Sequence, residues 1–429
     1  MQKKIIIAWS LLYFYSVSLI FLPEMHGEEI LSLKSAVATA LKANPEIIAA
    51  KRSYEAAGAR IWQAASLADP MIELEYDKIY ADRMLSGDPM KTYAVSQGIP
   101  FPTKLVLRAK IAARLAKMAY ETYKAKEKEI TAKIKSAYSE LFRIHRSIEV
   151  MKENKGVLEQ FSASAAARYS TALGTQADAL KAQVELAKVE NELIRLEQAR
   201  LVAQAKVNII MNKDPREEIP ALSPEGPVDS VAALEGLSDT AKKNNPELKV
   251  YRYAIEKGKA AYDLAANEFM PDFTVKFKQM VKRDRVDENA WAGMLGVTIP
   301  VWFFQKQVFG VKEMKSELEM LKAEYKMKEN MVLFDVRDAH ARVEANMKVV
   351  ELYETAFIPQ ANETVAAALR GYESGKADFL TLLDSQRMLI EFKLDHYNAI
   401  LDLRVALADL ERAVGVDLEN KKEVRYETK

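Results

Sequence analysis

The stretch YAVSQGIPFPTKLVLRAKIAARLAK, Tyr93–Lys117, changes its pattern at two prolines. Before Pro100, apolar and polar residues alternate, which is typical of a β-strand with two unlike faces. After Pro102, no proline follows until Pro215. Because proline is tolerated in the first turn of a helix but not in the interior of a sheet, the stretch predicts a short strand joined to a very long helix.

The composition excludes several classes of protein. The 429 residues include 62 Lys and Arg against 61 Asp and Glu, so no basic surface for nucleic acid is expected. Cysteine is absent, which excludes disulfides, thiolate metal sites, a cysteine nucleophile and a lipidated N-terminal cysteine. With only 15 Gly and 14 Pro, the chain favours long helices.

The N-terminus has the pattern of an export signal. Lys3 and Lys4 precede an apolar run over residues 5–22, and a polar stretch follows. We predict a signal peptide over residues 1–27. The alternative is an uncleaved anchor, because 18 apolar residues could just span a bilayer. No other run in the sequence is long and apolar enough for a membrane helix.

The chain contains a tandem duplication. The first repeat is predicted at residues 28–220 and the second at 221–416, followed by a polar tail at 417–429. The motifs recur 200 to 203 residues apart. The matched landmarks are Asn44-Pro45-Glu46 with Asn245-Pro246-Glu247, Pro70 with Pro271, Ile99-Pro100 with Ile299-Pro300, Gly156 with Pro359, and Tyr169 with Tyr372.

Each repeat predicts the same order of elements: two short helices, two strands, a long helix and a return helix. The strands are expected at about residues 71–98 and 272–300. The long helices are expected at 103–168 and 305–370, and the return helices at 176–212 and 377–414. Pro100, Pro102 and Pro300 then lie at the junctions between strands and helices.

The predicted strands have one apolar and one polar face. The apolar positions are Ile72, Leu74 and Tyr76 in the first repeat and Phe273, Val275 and Phe277 in the second. The polar positions include Glu73, Glu75, Asp77, Lys276 and Lys278, which we expect to line a wet lumen.

The helices need more neighbours than one chain supplies. The return helix 176–212 carries two apolar seams, which indicates a neighbour on each side. The first seam is Leu186, Val189, Leu193, Leu196, Ala203, Val207 and Ile210, and the second is Leu180, Val184, Ala187 and Ile194.

Four strands are also too few to close a barrel, since eight is about the smallest number for a filled one. The fold class predicted is therefore mainly α with a small β part: a homotrimer whose twelve strands form a barrel that continues as a helical tunnel.

The motifs resemble those of the TolC-like outer-membrane efflux protein family. The resemblance rests on NPEI and NPEL, ADPMIEL, VSQGIPFPTKL and RGYESGKADFLTLLDSQRML, and covers about residues 31–416. It implies a homotrimeric duct in the outer membrane of a Gram-negative bacterium that crosses the periplasm and works with a periplasmic adaptor and an inner-membrane RND-type pump. DPM and SQGIPFPTKL are most similar to the heavy-metal branch, which exports copper, silver, cobalt, zinc or cadmium.

Other functions stay open at this point. A multidrug efflux channel or a type I secretion channel would share the same architecture. A soluble periplasmic coiled-coil scaffold is a further alternative, although it would not need apolar-faced strands. The sequence contains no serine hydrolase, P-loop or zinc protease signature, so we expect no enzyme activity.

The segment YESGKADFLTLLDSQ is the candidate periplasmic tip and gate. Gly375 can adopt the positive φ of a tight turn. Ala172 occupies the matching place in the first repeat and Gly174 follows it, so we expect a differently shaped turn there. The tip also contains Tyr169 and Tyr372.

The resemblance implies that the acidic gate position falls on Asp384 and that a second, often acidic, position is Thr381. Asp178 takes the related place in the first repeat. Threefold symmetry would turn each aspartate into a ring that attracts cations. The alternative is that these aspartates are ordinary solvated residues at helix ends.

Two further sequence features concern bends and metals. Gly156 and Pro359 both weaken helices, and we expect them to bend the tube, although they could be tolerated irregularities. The 17 methionines form no M-x-x-M cluster and the four histidines show no ligand spacing, so we predict neither a resident metal nor a cofactor.

Overall fold

The computed structural model describes residues 30–77, 90–172, 174–219, 221–224, 232–281 and 290–418. The predicted signal peptide, residues 1–27, lies outside these residues, as does most of the predicted tail. The described part is mainly helical with one small sheet, so the predicted fold class is confirmed for the single chain.

Both repeats contain the predicted elements in the predicted order. The first has α1 Leu33–Ala43, α2 Pro45–Ala65, β1 Met71–Asp77, β2 Met90–Ile99, α3 Pro102–Ser170 and α4 Gln176–Ile210. The second has α5 Leu234–Asn244, α6 Pro246–Asn267, β3 Asp272–Val281, β4 Ala290–Thr298, α7 Gln307–Leu352, a π-helical turn Tyr353–Phe357, α8 Ile358–Glu373 and α9 Phe379–Val414. The 69 residues of α3 correspond to roughly 100 Å of continuous helix.

The recurring Asn-Pro-Glu motif starts a helix in each repeat. Asn44 caps α2 by accepting from the N–H of Glu46, and its amide donates to the carbonyl of Ile210 at 2.9 Å. Asn245 caps α6 by accepting from the N–H of Leu248 at 3.0 Å, and its amide donates to the carbonyl of Ala413 at 2.8 Å. Each asparagine therefore caps one helix and fixes it against the end of another.

The strand-to-helix junction of the first repeat is closed by a buried lysine. α3 begins at Pro102, and the ammonium of Lys104 contacts Asp272 at 3.0 Å, Glu268 at 3.4 Å and the carbonyl of Met270 at 3.0 Å. These contacts tie the start of α3 to the start of β3.

The second junction differs. Pro300 is followed by a turn over residues 301–306, and α7 begins at Gln307 rather than near 305. The extra turn contains Trp302, Phe303 and Phe304, whose rings contact one another. Residues 301–306 are thus accommodated before the helix begins.

The four strands form one antiparallel sheet in the order β1-β2-β3-β4. Ile72 lies opposite Val95, and Val95 lies opposite Phe277. Since directly opposed residues share a face, the predicted apolar positions line one face of the sheet. That face is uncovered: Ile72 is 82% exposed and Trp291 is 76% exposed.

The opposite face carries charges. Glu73 and Lys276 form an ion pair, and the hydroxyl of Ser96 donates to Glu73 at 3.3 Å. Lys278 lies opposite Ala94, which in turn lies opposite Glu73, so all three share this face. Glu75 pairs in register with Thr92 on the same face, and Asp77 ends β1 opposite Met90.

The two expected helix bends differ in local structure. Gly156 lies inside α3, which continues as an α-helix on both sides of it. Pro359 instead follows directly on the π-helical turn Tyr353–Phe357. Proline lacks an N–H and its ring crowds the preceding turn, which explains why the regular α-helical pattern is interrupted just before it.

A buried ion pair joins α9 to α3. Glu411 accepts from the ammonium of Lys135 at 2.6 Å and from the N–H of Leu418 at 3.0 Å. Asp417 also lies close enough to affect its charge. Burial raises the pKa of Glu411 to about 7, although Lys135 opposes the shift.

Among the described helices, none combines the length and the apolar composition that crossing a membrane requires.

Candidate functional site

The helix turns α3–α4 and α8–α9 lie side by side at one end of the molecule. The guanidinium of Arg168, in the last turn of α3, lies 4.8 Å from the centre of the Tyr372 ring and donates to the Tyr372 carbonyl at 3.1 Å. Tyr372 is buried and also contacts the ring of Phe379. The two hairpins therefore form one tip.

We expected a differently shaped turn in the first repeat, but the residue that follows the helix C-cap has a positive φ in both repeats. Ala172 has φ 57° and Gly375 has φ 70°, so both residues are in the left-handed region. They occupy the same place in turns of equal length, between C-caps Thr171 and Ser374 and N-caps Thr175 and Asp378. This conformation is less favourable for alanine than for glycine, because the Cβ atom of alanine comes too close to the following carbonyl oxygen.

A glycine is required in each turn, but at exchanged positions. A Cβ atom on Gly174 would lie 3.0 Å from the Cβ of Arg168. In the second repeat, a Cβ atom on Gly371 would lie 2.9 Å from the Cβ of Ala377. Arg168 matches Gly371, and Gly174 matches Ala377. The close approach leaves no room for two Cβ atoms, so one of the two positions is glycine in each repeat.

The capping residues are exchanged in a similar way. In the first repeat Thr175 accepts from the N–H of Asp178 at 3.2 Å, and Asp178 accepts from the N–H of Thr175 at 3.3 Å. In the second, Asp378 accepts from the N–H and the hydroxyl of Thr381 at 2.8 and 2.5 Å. Asp178 and Thr381 therefore stabilise the starts of α4 and α9.

The electrostatics of the tip follow from these contacts. The hydrogen bonds from the hydroxyl and the N–H of Thr381 hold the pKa of Asp378 below its usual value. Burial raises the pKa of Tyr372, and its hydroxyl has no hydrogen-bond partner among the described residues. Tyr169, the counterpart of Tyr372, is half exposed at the end of α3.

Asp384 lies one turn further along α9, with 57% of its side chain exposed. Its carboxylate contacts Arg387 at 2.8 Å. Arg387 also donates to the carboxylate of Glu185 on α4, at 2.5 and 3.0 Å, and Lys188 contacts Glu185 at 2.7 Å. Arg387 is the main cause that lowers the pKa of Glu185.

The contact between Arg387 and Glu185 was not predicted from the sequence. They lie 202 positions apart and belong to different repeats, and they do not occupy matching places in the duplication. A second missed contact is the buried hydrogen bond from Gln386 to Asn154 at 2.9 Å, which joins α9 to α3. No sequence pattern indicated that these two residues would meet.

Within the described residues, no group of three or more His, Asp or Glu side chains is arranged to hold a metal ion. His340 contacts the carbonyl of Ala232 at 3.1 Å and His396 contacts Glu354 at 3.1 Å. Both histidines therefore have contacts with the surrounding protein.

The comparisons with known proteins cover nearly the whole described chain. The sequence model of a family described as "outer membrane efflux protein" matches residues 36–213 and 237–416. The chain is 21% identical over 393 residues to the cobalt-zinc-cadmium resistance protein CzcC of Cupriavidus metallidurans, and 90% of each sequence is covered.

Solved structures show the same fold. A structure of CusC, described in connection with folding and transmembrane channel formation, has a TM-score of 0.80 at 13% identity, covering 90% of this chain and 92% of that one. The outer membrane protein VceC of Vibrio cholerae has a TM-score of 0.75 at 17% identity, covering 90% of this chain and 96% of that one.

Proposed function

The chain belongs to the outer membrane efflux protein family, and on that premise we propose that three copies form a passive exit duct in the outer membrane of a Gram-negative bacterium. Members of this family are channels and not enzymes. The duct would receive its substrate from an inner-membrane RND-type pump through a periplasmic adaptor, so this chain needs no energy-converting site of its own.

The observation that carries the proposal is the open sheet with an uncovered apolar face. Ile72, Trp291 and Leu295 are each at least 70% exposed in the single chain. Leaving this much apolar surface in water is unfavourable, at about 25 cal/mol for each Å². Contact with lipid removes that cost, while the face that carries Glu73 and Lys276 stays in contact with water.

The free edges of the sheet support a trimer. Among the described residues, β1 pairs only with β2 and β4 only with β3, so each presents an open edge. An open edge is a site for pairing with another chain. Joining β4 of one copy to β1 of the next closes a barrel of twelve strands with three copies, above the minimum of about eight.

The helices support the same arrangement. On α4 the first apolar seam packs inside the chain, where Val189 and Val207 are buried. The second seam is uncovered: Leu180, Val184 and Ile194 are 53%, 55% and 72% exposed. On α7, Phe334 is 68% exposed. A neighbouring copy on each side would cover both surfaces and complete a helical tube.

The tip is the proposed gate, with Asp384 as the charged residue of the constriction. Its exposure supports this role, and Arg387 next to it would moderate the negative charge of the ring. Tyr372 and Gly375 would fix the turn, and Tyr169 would lie at its surface. Asp178 and Thr381 act in the caps and would contribute to the shape of the gate more than to its charge.

Heavy-metal cations are the proposed substrate. The support is the relation to a curated protein whose name states cobalt, zinc and cadmium resistance. A negatively charged ring at the narrowest point would favour cations of any of these metals. The polar face of the sheet, with both Glu73 and Lys276, would keep the lumen wet without strong selection.

Two experiments test the proposal. If the protein is a channel, membrane fractions should contain a trimer that needs detergent for extraction and dissociates only on heating. A monomer that is soluble in salt solution would contradict the channel proposal. A deletion strain should become sensitive to cobalt, zinc, cadmium, copper or silver. Sensitivity to drugs alone, or loss of protein secretion, would replace the metal assignment and leave the channel assignment intact.

A further inference from the structure

A cavity of about 360 Å³ lies between α3 and α9, roughly midway along the long helices. Its lining includes three arginines, Arg143 and Arg146 from α3 and Arg404 from α9. The hydroxyl-bearing residues Ser139 and Tyr397 also line it. We call this site the arginine groove. It is distinct from the tip and the sheet.

The arginine groove concentrates positive charge. The lining residues carry three guanidinium groups. Among the described residues, no Asp or Glu side chain lines the groove. Arg146 also contacts Glu149, which lies outside the lining, at 2.6 Å.

The side chains around the guanidinium groups favour a bound anion. The guanidinium of Arg146 lies 5.1 Å from the centre of the Phe142 ring, which together with Glu149 holds it in place. Phe142, Ile400 and Leu401 form the apolar part of the lining. Apolar walls lower the local dielectric constant, so each charge in the groove acts more strongly than it would in open water.

We propose that the arginine groove binds a small multivalent oxyanion, of the phosphate or polycarboxylate class. Guanidinium groups match such anions because each offers two parallel N–H donors to a pair of oxygens. The volume is in the range of small-molecule sites and fits an anion of the size of citrate. The bound anion would link α3 to α9 by bridging Arg143 and Arg404.

This inference does not depend on the channel function. A protein that failed to form a trimer could still bind the anion in a groove made by one chain, and a functional channel could lack the site. We propose a small anion and not an acidic segment of another protein, because the volume of the groove is only about 360 Å³.

The test is calorimetric titration of the purified full-length chain in detergent, with inorganic phosphate and citrate as probes at constant ionic strength. We expect saturable binding, with one site in each chain. Arg143→Gln and Arg404→Gln should each weaken binding at least tenfold. Arg143→Lys, which keeps the charge but loses the paired donors, should weaken it by a smaller factor.

Arg52→Gln is the matched control, since Arg52 is an exposed arginine on α2 outside the groove. Its affinity should equal that of the unaltered chain. Absence of saturable binding, or equal loss in Arg52→Gln, would overturn the proposal. Binding of a hexaglutamate peptide without binding of either small anion would also overturn it. Circular dichroism would check that each variant folds. If a glutamine variant does not fold, the affinity of Arg143→Lys still tests the proposal.

Discussion

The guanidinium of Arg387 contacts both oxygens of the Glu185 carboxylate, at 2.5 and 3.0 Å, and thereby ties α9 of the second repeat to α4 of the first. The same side chain reaches Asp384 at 2.8 Å. One arginine therefore both joins the two hairpins near the tip and compensates the exposed aspartate.

Arg387→Ala should make the channel more selective for cations and more sensitive to block by divalent cations. The substitution removes the positive charge next to Asp384 and leaves Glu185 with Lys188 as its partner. Loss of the charge-assisted hydrogen bonds should also lower the free energy of unfolding by about 1–3 kcal/mol. Reversal potentials in planar bilayers measure the selectivity.

Arg370→Ala is the control, because Arg370 is an exposed arginine in the last turn of α8. An equal change of selectivity in both variants would mean that Arg387 acts only through the net charge of the tip.

Asp384→Ala should have the opposite effect on ion block. Removal of three carboxylates from the proposed ring should weaken block by divalent cations and raise the single-channel conductance measured in their presence. Asp402→Ala, at an exposed position of α9 far from the tip, should leave both quantities unchanged. Identical conductance and block in Asp384→Ala and the unaltered channel would remove Asp384 from the gate.

The exchanged glycines predict that the effect of Gly371→Ala on stability depends on residue 377, which a double-mutant cycle can measure. Gly371→Ala should lower stability by about 1–3 kcal/mol, because the new Cβ would lie 2.9 Å from that of Ala377. In the background of Ala377→Gly, the same substitution meets no Cβ and should be neutral or stabilising, by up to about 1 kcal/mol. Thermal unfolding in detergent measures the stability of the unaltered chain, the two single variants and the double variant. Additive effects of the two substitutions would contradict a steric conflict between residues 371 and 377.

The buried carboxyl of Glu411 predicts a pH dependence of stability. Its pKa is raised from 4.5 to about 7, so between these values the folded chain holds a proton that the unfolded chain has released. Stability should therefore fall as the pH rises through this window, by at most about 3 kcal/mol from this group.

Glu411→Gln should flatten that part of the pH profile of the unfolding temperature. Glu363→Gln, at an exposed position of α8, should leave it unchanged. If Glu411→Gln and the unaltered chain showed the same fall between pH 5 and pH 7, the carboxylate would be ionised throughout and held by Lys135.

Much of the fold could be predicted from the sequence because the strongest signals are local and occur twice. Pro100 and Pro102 predict where β2 ends and α3 begins, and the structure has β2 ending at Ile99 and α3 beginning at Pro102. The alternation around Ile72 and Phe277 predicts the faces of the sheet, and the register agrees.

The remaining features depend on contacts between distant parts of the chain. Ala172 adopts a left-handed conformation that its own preference opposes, since the close approach of Arg168 and Gly174 fixes the turn. Arg387 and Glu185 meet only after the two hairpins pack together. Neither kind of contact leaves a periodic signal, so comparison of the two repeats could not reveal it.

The most direct measurement of the central claim is disulfide cross-linking between the sheet edges, since the chain has no cysteine of its own. Glu75→Cys on β1 would be combined in turn with Ala292→Cys, Met294→Cys and Gly296→Cys on β4. Within one chain these strands lie three spacings apart, about 14 Å, which is beyond the reach of a disulfide. If three chains close a barrel of twelve strands, at least one pair should give covalent dimers and trimers in outer-membrane fractions under oxidising conditions. Only monomers with all three pairs, in a chain that fractionates with the soluble periplasm, would contradict it.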